Sequence, residues 1–357
     1  DTEKGRKTMT HIHGGNIYQY KQAADFSANI NFHGMPQSVK EAAHAAIDRS
    51  IHYPEPDSRS LKAVLAEREG VPESAIICGN GAAELMFALA IAKRPKKAVL
   101  AQPCFFEYEQ ALTAVGCTLV HVPLKKEDGF QVGMAFAEQI PEDADLVILG
   151  NPNNPTGQSV PRPVLEQVLA VCHRIGCMLM MDESFFDFLV PEDQKRTMDC
   201  TKTAGEDPSV FVLKSFTKMY AMPGLRFGYA ICADVKLLEQ MRSGMQPWNV
   251  SLPAQAAARA AASEVAFAKK TAQQVAKNRQ WMIGKLREAG VTVYDSVTNY
   301  LLLEGPADLK ERCLEKGYLI RDCSNFRTLT KGFYRICIRS QEENEALLAV
   351  LLQSLTS

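Results

Sequence analysis

Ser215-Phe216-Thr217-Lys218, continued by Met222-Pro223-Gly224-Leu225-Arg226, gathers two hydroxyls, an amine and a guanidinium into one short loop. Apolar runs flank it, Val210 to Leu213 before and Arg226 to Cys232 after. Both read as strands, so the loop hangs at the edge of a sheet. An amine held there, out of water, is a nucleophile for a carbonyl carbon. Hydroxyls and a guanidinium are the groups that hold a phosphate dianion. The Pro-Gly turn fixes the backbone and returns Arg226 toward those hydroxyls. Taken singly, such a cluster is an ordinary solvated loop; three further segments turn it into a site.

Outward from this loop the chain alternates two patterns. Val39 to Ile47 and Leu61 to Glu69 read as amphipathic helices. Ala75 to Cys78, Ala98 to Ala101, Thr118 to Val122, Leu146 to Leu149 and Met178 to Met181 are short apolar strand-like runs, most of them separated by helical stretches. That rhythm predicts an α/β fold with a mainly parallel sheet covered by helices on both faces. The composition changes at Gln246-Pro247-Trp248, and Pro253 to Lys285 is Ala-rich and helical by propensity. Strand-like runs at Val291 to Tyr294, Tyr300 to Glu304, Tyr318 to Arg321 and Tyr334 to Ile338 follow, with helices at Ala307 to Lys316 and Glu342 to Leu355. The expected division is an N-terminal arm (1–35) packed on a small C-terminal α+β domain (251–357), with a large domain between them (36–250).

In open parallel sheets ligands gather beyond the carboxyl ends of the strands, and the loops there are chemically loaded. Gly79-Asn80-Gly81-Ala82-Ala83 is a tight turn opening a helix, whose free N–H groups face an anion. Asn151-Pro152-Asn153-Asn154-Pro155-Thr156-Gly157 is a rigid turn able to aim an asparagine amide. Asp182-Glu183-Ser184-Phe185-Phe186-Asp187 follows a buried strand, where a carboxylate needs a cationic partner. A protonated pyridine nitrogen is such a partner, with Asp182 the first choice and Glu183 or Asp187 the alternatives. Lysine, phosphate cup and acid together outline pyridoxal phosphate.

These segments, in this order and over nearly the whole chain, resemble the fold-type I pyridoxal-phosphate enzymes of the class I and II aminotransferase group. The resemblance implies a mainly parallel seven-stranded sheet between helices and a smaller α+β domain. It implies Lys218 as the Schiff-base lysine, Asp182 on the pyridine nitrogen and Asn154 on the ring hydroxyl. The phosphate would be held by the turn Gly81-Ala82-Ala83 with Ser215, Thr217 and Arg226. Phe105 would stack on the ring with Tyr108 nearby. The group works as homodimers, and Tyr53 in His52-Tyr53-Pro54 is similar to the tyrosine lent to the partner's cofactor phosphate.

Two subfamilies share these motifs: threonine-phosphate decarboxylases and histidinol-phosphate aminotransferases. His13-Gly14-Gly15-Asn16, Asp25 to Asn31, Gln246 to Val250 and Tyr334 to Ser340 resemble the decarboxylases. So does Phe185, where the aminotransferases usually carry a tyrosine. The resemblance implies a decarboxylase that converts L-threonine O-3-phosphate to (R)-1-aminopropan-2-yl phosphate for cobamide synthesis. O-phosphoserine decarboxylation and histidinol-phosphate transamination are the alternatives. Arg335 occupies the family's carboxylate-arginine position. Arg321, Arg339, His13, Asn31 and Asn154 are expected to join it around substrate phosphate and carboxylate, unless the two further arginines are surface ion pairs and His13 an exposed terminal residue. Ala82-Ala83, in place of a more polar pair, and Asn325-Phe326-Arg327-Thr328-Leu329 depart from the pattern.

Charge excludes other classes. The balance of 40 basic and 41 acidic residues gives −1, without a basic block to hold nucleic acid. No apolar run reaches the roughly 20 residues that cross a bilayer. The polar start lacks the apolar centre of a secretory signal, and Met9 is a candidate natural start. The ten cysteines form no C-x-x-C pair and the seven histidines no metal-ligand spacing. Buried free thiols in a reducing cytoplasm, and no metal, are the expectation. A regulator on the same fold would need a DNA-binding module ahead of the enzyme-like region, for which the stretch before residue 36 is expected to be too short.

Overall fold

The computed structural model describes residues 13–194 and 196–356; Met9 lies outside the described residues. A two-residue strand, β1 (Ala24–Asp25), precedes the main sheet of β2 (Ile76–Gly79), β3 (Lys97–Gln102), β4 (Thr118–Pro123), β5 (Leu146–Gly150), β6 (Met178–Asp182), β7 (Val210–Ser215) and β8 (Gly228–Ile231). Their order is β2-β8-β7-β6-β5-β3-β4, and β8 runs antiparallel to both of its neighbours. The remaining pairings are parallel.

Each central strand carries a continuous apolar run, Leu146 to Leu149, Met178 to Met181 and Val210 to Leu213 among them, because both faces are covered. Side chains of alternate residues enter separate cores. Val99, Val147, Leu149, Leu179, Met181, Val210 and Val212 belong to one. Leu100, Leu146, Ile148, Met178, Met180, Phe211 and Leu213 belong to the other. The period of two in the backbone thus sorts an unbroken hydrophobic run into two layers. The ten cysteines are all buried and unbonded, as their apolar surroundings implied. Among the described residues no helix is long and apolar enough to cross a membrane.

The C-terminal part holds β9 (Tyr300–Glu304), β10 (Tyr318–Leu319), β11 (Arg321–Asp322) and β12 (Phe333–Cys337). Antiparallel pairing gives β11-β12-β9, while β10 pairs in parallel with β1. The single strand expected over Tyr318 to Arg321 is therefore split at Ile320 between two sheets. Val291 to Tyr294 contributes one isolated bridge, Val293 to Leu303, in place of a strand. Chain 24–31 is tied to the small sheet: Phe26 N donates to Leu319 O at 2.9 Å and Cys337 N to Phe26 O at 2.8 Å.

The Ala-rich stretch breaks at Ser263-Glu264 into the helices Leu252–Ala262 and Val265–Glu288. Ser251 caps the first by accepting from Ala254 N at 3.3 Å, with a proline in its first turn. That helix buries Ala254, Ala257, Ala258 and Ala261 and packs on Gln37–Ile47 and Arg59–Glu69. Alanines permit this close approach, and they carry the packing of the large layer past residue 250.

Candidate active site

Five parallel strands of the sheet deliver loaded loops to one edge. Gly79-Asn80-Gly81 leaves β2, Gln102-Pro103-Cys104 leaves β3, and Asn151 to Asn154 leaves β5. Asp182 ends β6, and Ser215 to Lys218 leaves β7. Because β8 is antiparallel, the residues that enter it lie at this same edge, and Arg226 is one of them. The loops wall a cavity of about 370 Å³, closed on the far side by His13, Arg321, Asn325, Phe326 and Arg335.

One end is an anion cup. Gly81 has φ +83° and precedes the helix Ala82–Lys93, whose first turn carries no side-chain cap from Gly81. Glu84 instead reaches back to Asn80 N at 2.7 Å. Ser215 Oγ and Thr217 Oγ1 lie 2.8 Å apart, and Thr217 N donates to Ser215 Oγ at 3.3 Å. A Cβ on Gly81 would sit 2.6 Å from Arg226 Nη2, so the guanidinium lies directly over the turn. Pro223 O accepts from Arg226 Nη1 at 3.0 Å and fixes its direction. Two backbone N–H groups, two hydroxyls and a guanidinium surround the space lined by Ala82 and Ala83.

The centre holds a base and an acid. Lys218 is largely buried. Burial, and then the nearby charges of Arg335 and Arg226, push its amine down to about 8. Asp182 is buried, accepting from Tyr108 Oη at 2.6 Å and from Ser184 N at 2.9 Å. Burial and the Asp182 charge drive the Tyr108 phenol well above its ordinary range, so it stays a donor. Phe105 lies edge-on to Tyr108, with ring centroids 5.7 Å apart. Glu183 and Asp187, the alternative acids, are spent elsewhere. Glu183 faces Lys214 at 3.4 Å and Asp187 faces Arg68 at 3.4 Å.

The outer end is cationic. Arg335 donates through Nη1 to Asn154 Oδ1 and through Nη2 to Ser27 O at 2.8 Å, and lies over the Tyr300 ring. Arg321 donates through Nη2 to Asn325 Oδ1 at 2.8 Å and lies over Phe326. Both side chains are buried, 6% exposed each, so they are held in place before any ligand arrives. Phe185 lines the cavity and packs edge-on against Tyr300 at 5.0 Å, bringing no hydroxyl to the ring-binding region.

Residues 21–351 match the family model for class I and II aminotransferases. The chain belongs to that family. It is 37% identical to a threonine-phosphate decarboxylase of Salmonella typhimurium, with 96% of each chain covered. Among solved structures it is similar to a histidinol-phosphate aminotransferase from Clostridium acetobutylicum (TM-score 0.85, 25% identity, 93% and 98% covered). It is also similar to an L-threonine-O-3-phosphate decarboxylase from Porphyromonas gingivalis (TM-score 0.81, 26% identity, 93% and 99% covered).

Viewed as a class I and II aminotransferase, the donor set fits pyridoxal phosphate. The cup suits a dianion, Asp182 a ring cation, and Lys218 an electrophilic carbon between them. The structure places Lys218, Asp182, Asn154, Ala82, Ala83, Phe105, Tyr108, Ser215, Thr217, Arg226, His13, Arg321 and Arg335 around one cavity. Two expected substrate residues fall outside it. Asn31 is buried behind the lysine loop, donating to Met219 O at 2.7 Å and, through its backbone N, to Lys218 O at 3.1 Å. Arg339 donates to Asp25 O at 2.9 Å, pairs with Glu343 at 2.7 Å and lies over Phe26. Both hold the N-terminal arm. Tyr53 is exposed and stacked on Trp248 at 4.4 Å, away from this chain's own cavity.

Asn29 and Glu107, to which the sequence assigns no role, also line the cavity, and so does Asn325 from the segment that departs from the family pattern. Asn29 keeps a buried Oδ1 with no partner, the mark of a side chain awaiting a donor. Asn29 and Asn31 lie two residues apart in an irregular stretch, so residue type and spacing alone do not choose between them. Gly81→Ala tests the cup, since it forces a side chain into a positive φ and against Arg226. A non-glycine residue at φ +83° and ψ 160°, backbone essentially reserved for glycine, costs about 1–3 kcal/mol. The expected result is a cofactor dissociation constant raised about tenfold or more, measured by equilibrium titration.

Proposed function

We propose that this chain is a pyridoxal-phosphate-dependent decarboxylase that converts L-threonine O-3-phosphate to (R)-1-aminopropan-2-yl phosphate, the linker of a cobamide. The carrying observation is that one cavity has two cationic ends on either side of Lys218. The Gly81 cup takes the cofactor phosphate, and the outer end of Arg321, Arg335, His13 and Asn29 takes a second, substrate-borne phosphate with its carboxylate. When bound, pyridoxal phosphate supplies the sink for the electron pair left as carbon dioxide departs. Asp182 keeps a positive ring nitrogen paired, Asn154 is aimed by Arg335, and Lys218 delivers the proton that replaces the carboxylate. The apolar Phe185 ring, backed by the buried Tyr300, keeps water from that wall of the cavity. The reading includes a homodimer in which the exposed Tyr53 reaches the neighbouring copy's phosphate cup.

Incubation with threonine phosphate should release carbon dioxide in stoichiometric amounts without a 2-oxo acid. Faster release from phosphoserine would move the substrate to ethanolamine phosphate formation. Turnover of histidinol phosphate that depends on 2-oxoglutarate, with no carbon dioxide released, would overturn the reading in favour of transamination.

A further inference from the structure

Glu107 is an acid in a place that asks for cations. It stands in the first turn of the helix Phe106–Ala114 and lines the cavity's outer end. Its Oε1 lies 3.3 Å from His13 Nε2. Its Oε2 is shut away from solvent with no hydrogen-bond partner. An ionised carboxylate accepts only, and one left with an orphaned oxygen is costly to bury. Charged groups reach it from every side: His13 from the N-terminal arm, Lys218 from the loop after β7, Arg321 from β11 and Asp182 from β6. Burial dominates this balance and pushes the carboxyl up to about 7. A site for a phosphate dianion gains nothing from a fixed negative charge among its cations. It gains a donor when that charge is neutralised.

We propose that Glu107 is a specificity residue that takes up a proton when a phosphate dianion enters the outer end, turning from a repelling carboxylate into a hydrogen-bond donor steadied by His13. This rests on the reading that the substrate carries a phosphate. The dianion adds negative charge beside Glu107, so its carboxyl holds a proton more tightly in the complex than in the free protein. Binding then consumes a proton in the window above pH 7, and affinity falls as pH rises through that window. A monoanion of the same shape draws less. A dicarboxylate is turned away, because its second carboxylate meets Glu107 without the charge needed to protonate it.

The test uses the holoenzyme and isopropyl phosphate, an ester with neither amine nor carboxylate and therefore unreactive at Lys218. Calorimetric titration at about pH 7.5 in two buffers of different ionisation enthalpy counts protons; the ester, with a second pKa of about 6, is then a dianion. The wild type is expected to take up a proton fraction that vanishes in Glu107→Gln. The amide donates without titrating, so Glu107→Gln should bind the ester within a few-fold of wild type and lose the pH dependence. Glu107→Ala should bind about tenfold or more weakly, the range for losing a hydrogen bond to a charged group. Removal of His13 (His13→Gln) should leave the uptake in place. Binding without proton uptake, or equal uptake by Glu107→Gln, overturns the proposal. So does failure of the ester to bind an enzyme that decarboxylates threonine phosphate. If threonine phosphate is not turned over at all, the functional reading fails, while ester-linked proton uptake still decides the role of Glu107.

Discussion

Replacing Lys218 by alanine should abolish turnover, by about 10⁴-fold or more, the upper end of what one positioned proton-transfer group contributes. It should also abolish covalent attachment of the cofactor. Borohydride reduction followed by intact-mass measurement is expected to add the cofactor's mass to the wild type and nothing to the variant. The cup of Ser215, Thr217 and Arg226 is untouched, so the variant should still bind the cofactor reversibly. An adduct that persists in Lys218→Ala would move the attachment to another amine; Lys214, buried against Glu69 at 3.3 Å and Glu183 at 3.4 Å, is the one to examine.

Stability should move the other way. Burial and then Arg335 and Arg226 hold the Lys218 amine down at about 8, against 10.5 in an exposed lysine. Between these values the unfolded chain binds the proton that the folded chain has released, so stability rises with pH across that window. Below it the folded, cofactor-free protein carries an unfavourable buried charge. Lys218→Met, of similar length and no charge, should therefore melt above the cofactor-free wild type at neutral pH, with the gap closing toward pH 10.5. Lower activity with higher stability is the signature of a site built at the expense of the fold. A melting temperature that falls instead would make Lys218 a structural residue.

The sheet was legible because each strand is a short apolar run between chemically distinct loops, and buried parallel strands leave that mark. The lysine, the acid and the phosphate cup were legible for a related reason, since each is a polar residue where the hydrophobic pattern stops. What escaped was set by contacts between distant segments. Asn31 and Asn29 are the same residue type two positions apart in an irregular stretch, and only the docking of 24–31 onto β10 and β12 shows which one reaches the cavity. Arg339 and Arg335 differ in the same way. On β12, Arg335 faces the cavity, while Arg339, four residues on and past the strand's end, faces the arm. The strand expected over Tyr318 to Arg321 was divided because β1 takes Tyr318–Leu319 and β12 takes Arg321–Asp322. Local propensity does not encode a change of partner within four residues.

Asp182→Asn removes one charge and almost no shape, which makes it the sharper probe of the acid's role. Ser184 N at 2.9 Å can still donate to the amide oxygen, and Tyr108 at 2.6 Å can turn its hydroxyl to accept from the amide nitrogen. Folding should be preserved. What is lost is the anion that keeps a positive ring nitrogen stable in a buried setting. Breaking a buried charge pair costs about 3–5 kcal/mol, and carried into the barrier this is a fall in kcat of about 10²–10⁴-fold. Borohydride should still fix the cofactor to Lys218, so attachment and turnover separate, unlike the result for Lys218→Ala. Tyr108→Phe is the control. It removes the hydrogen bond to Asp182 but leaves the charge, so its loss should be nearer the 1.5–3 kcal/mol of a hydrogen bond to an ion, roughly 10–100-fold. Wild-type kcat in Asp182→Asn would show that the carboxylate serves only to order the β6 loop. A loss in Tyr108→Phe as large as that in Asp182→Asn would transfer the role from the charge to the hydrogen-bonded pair.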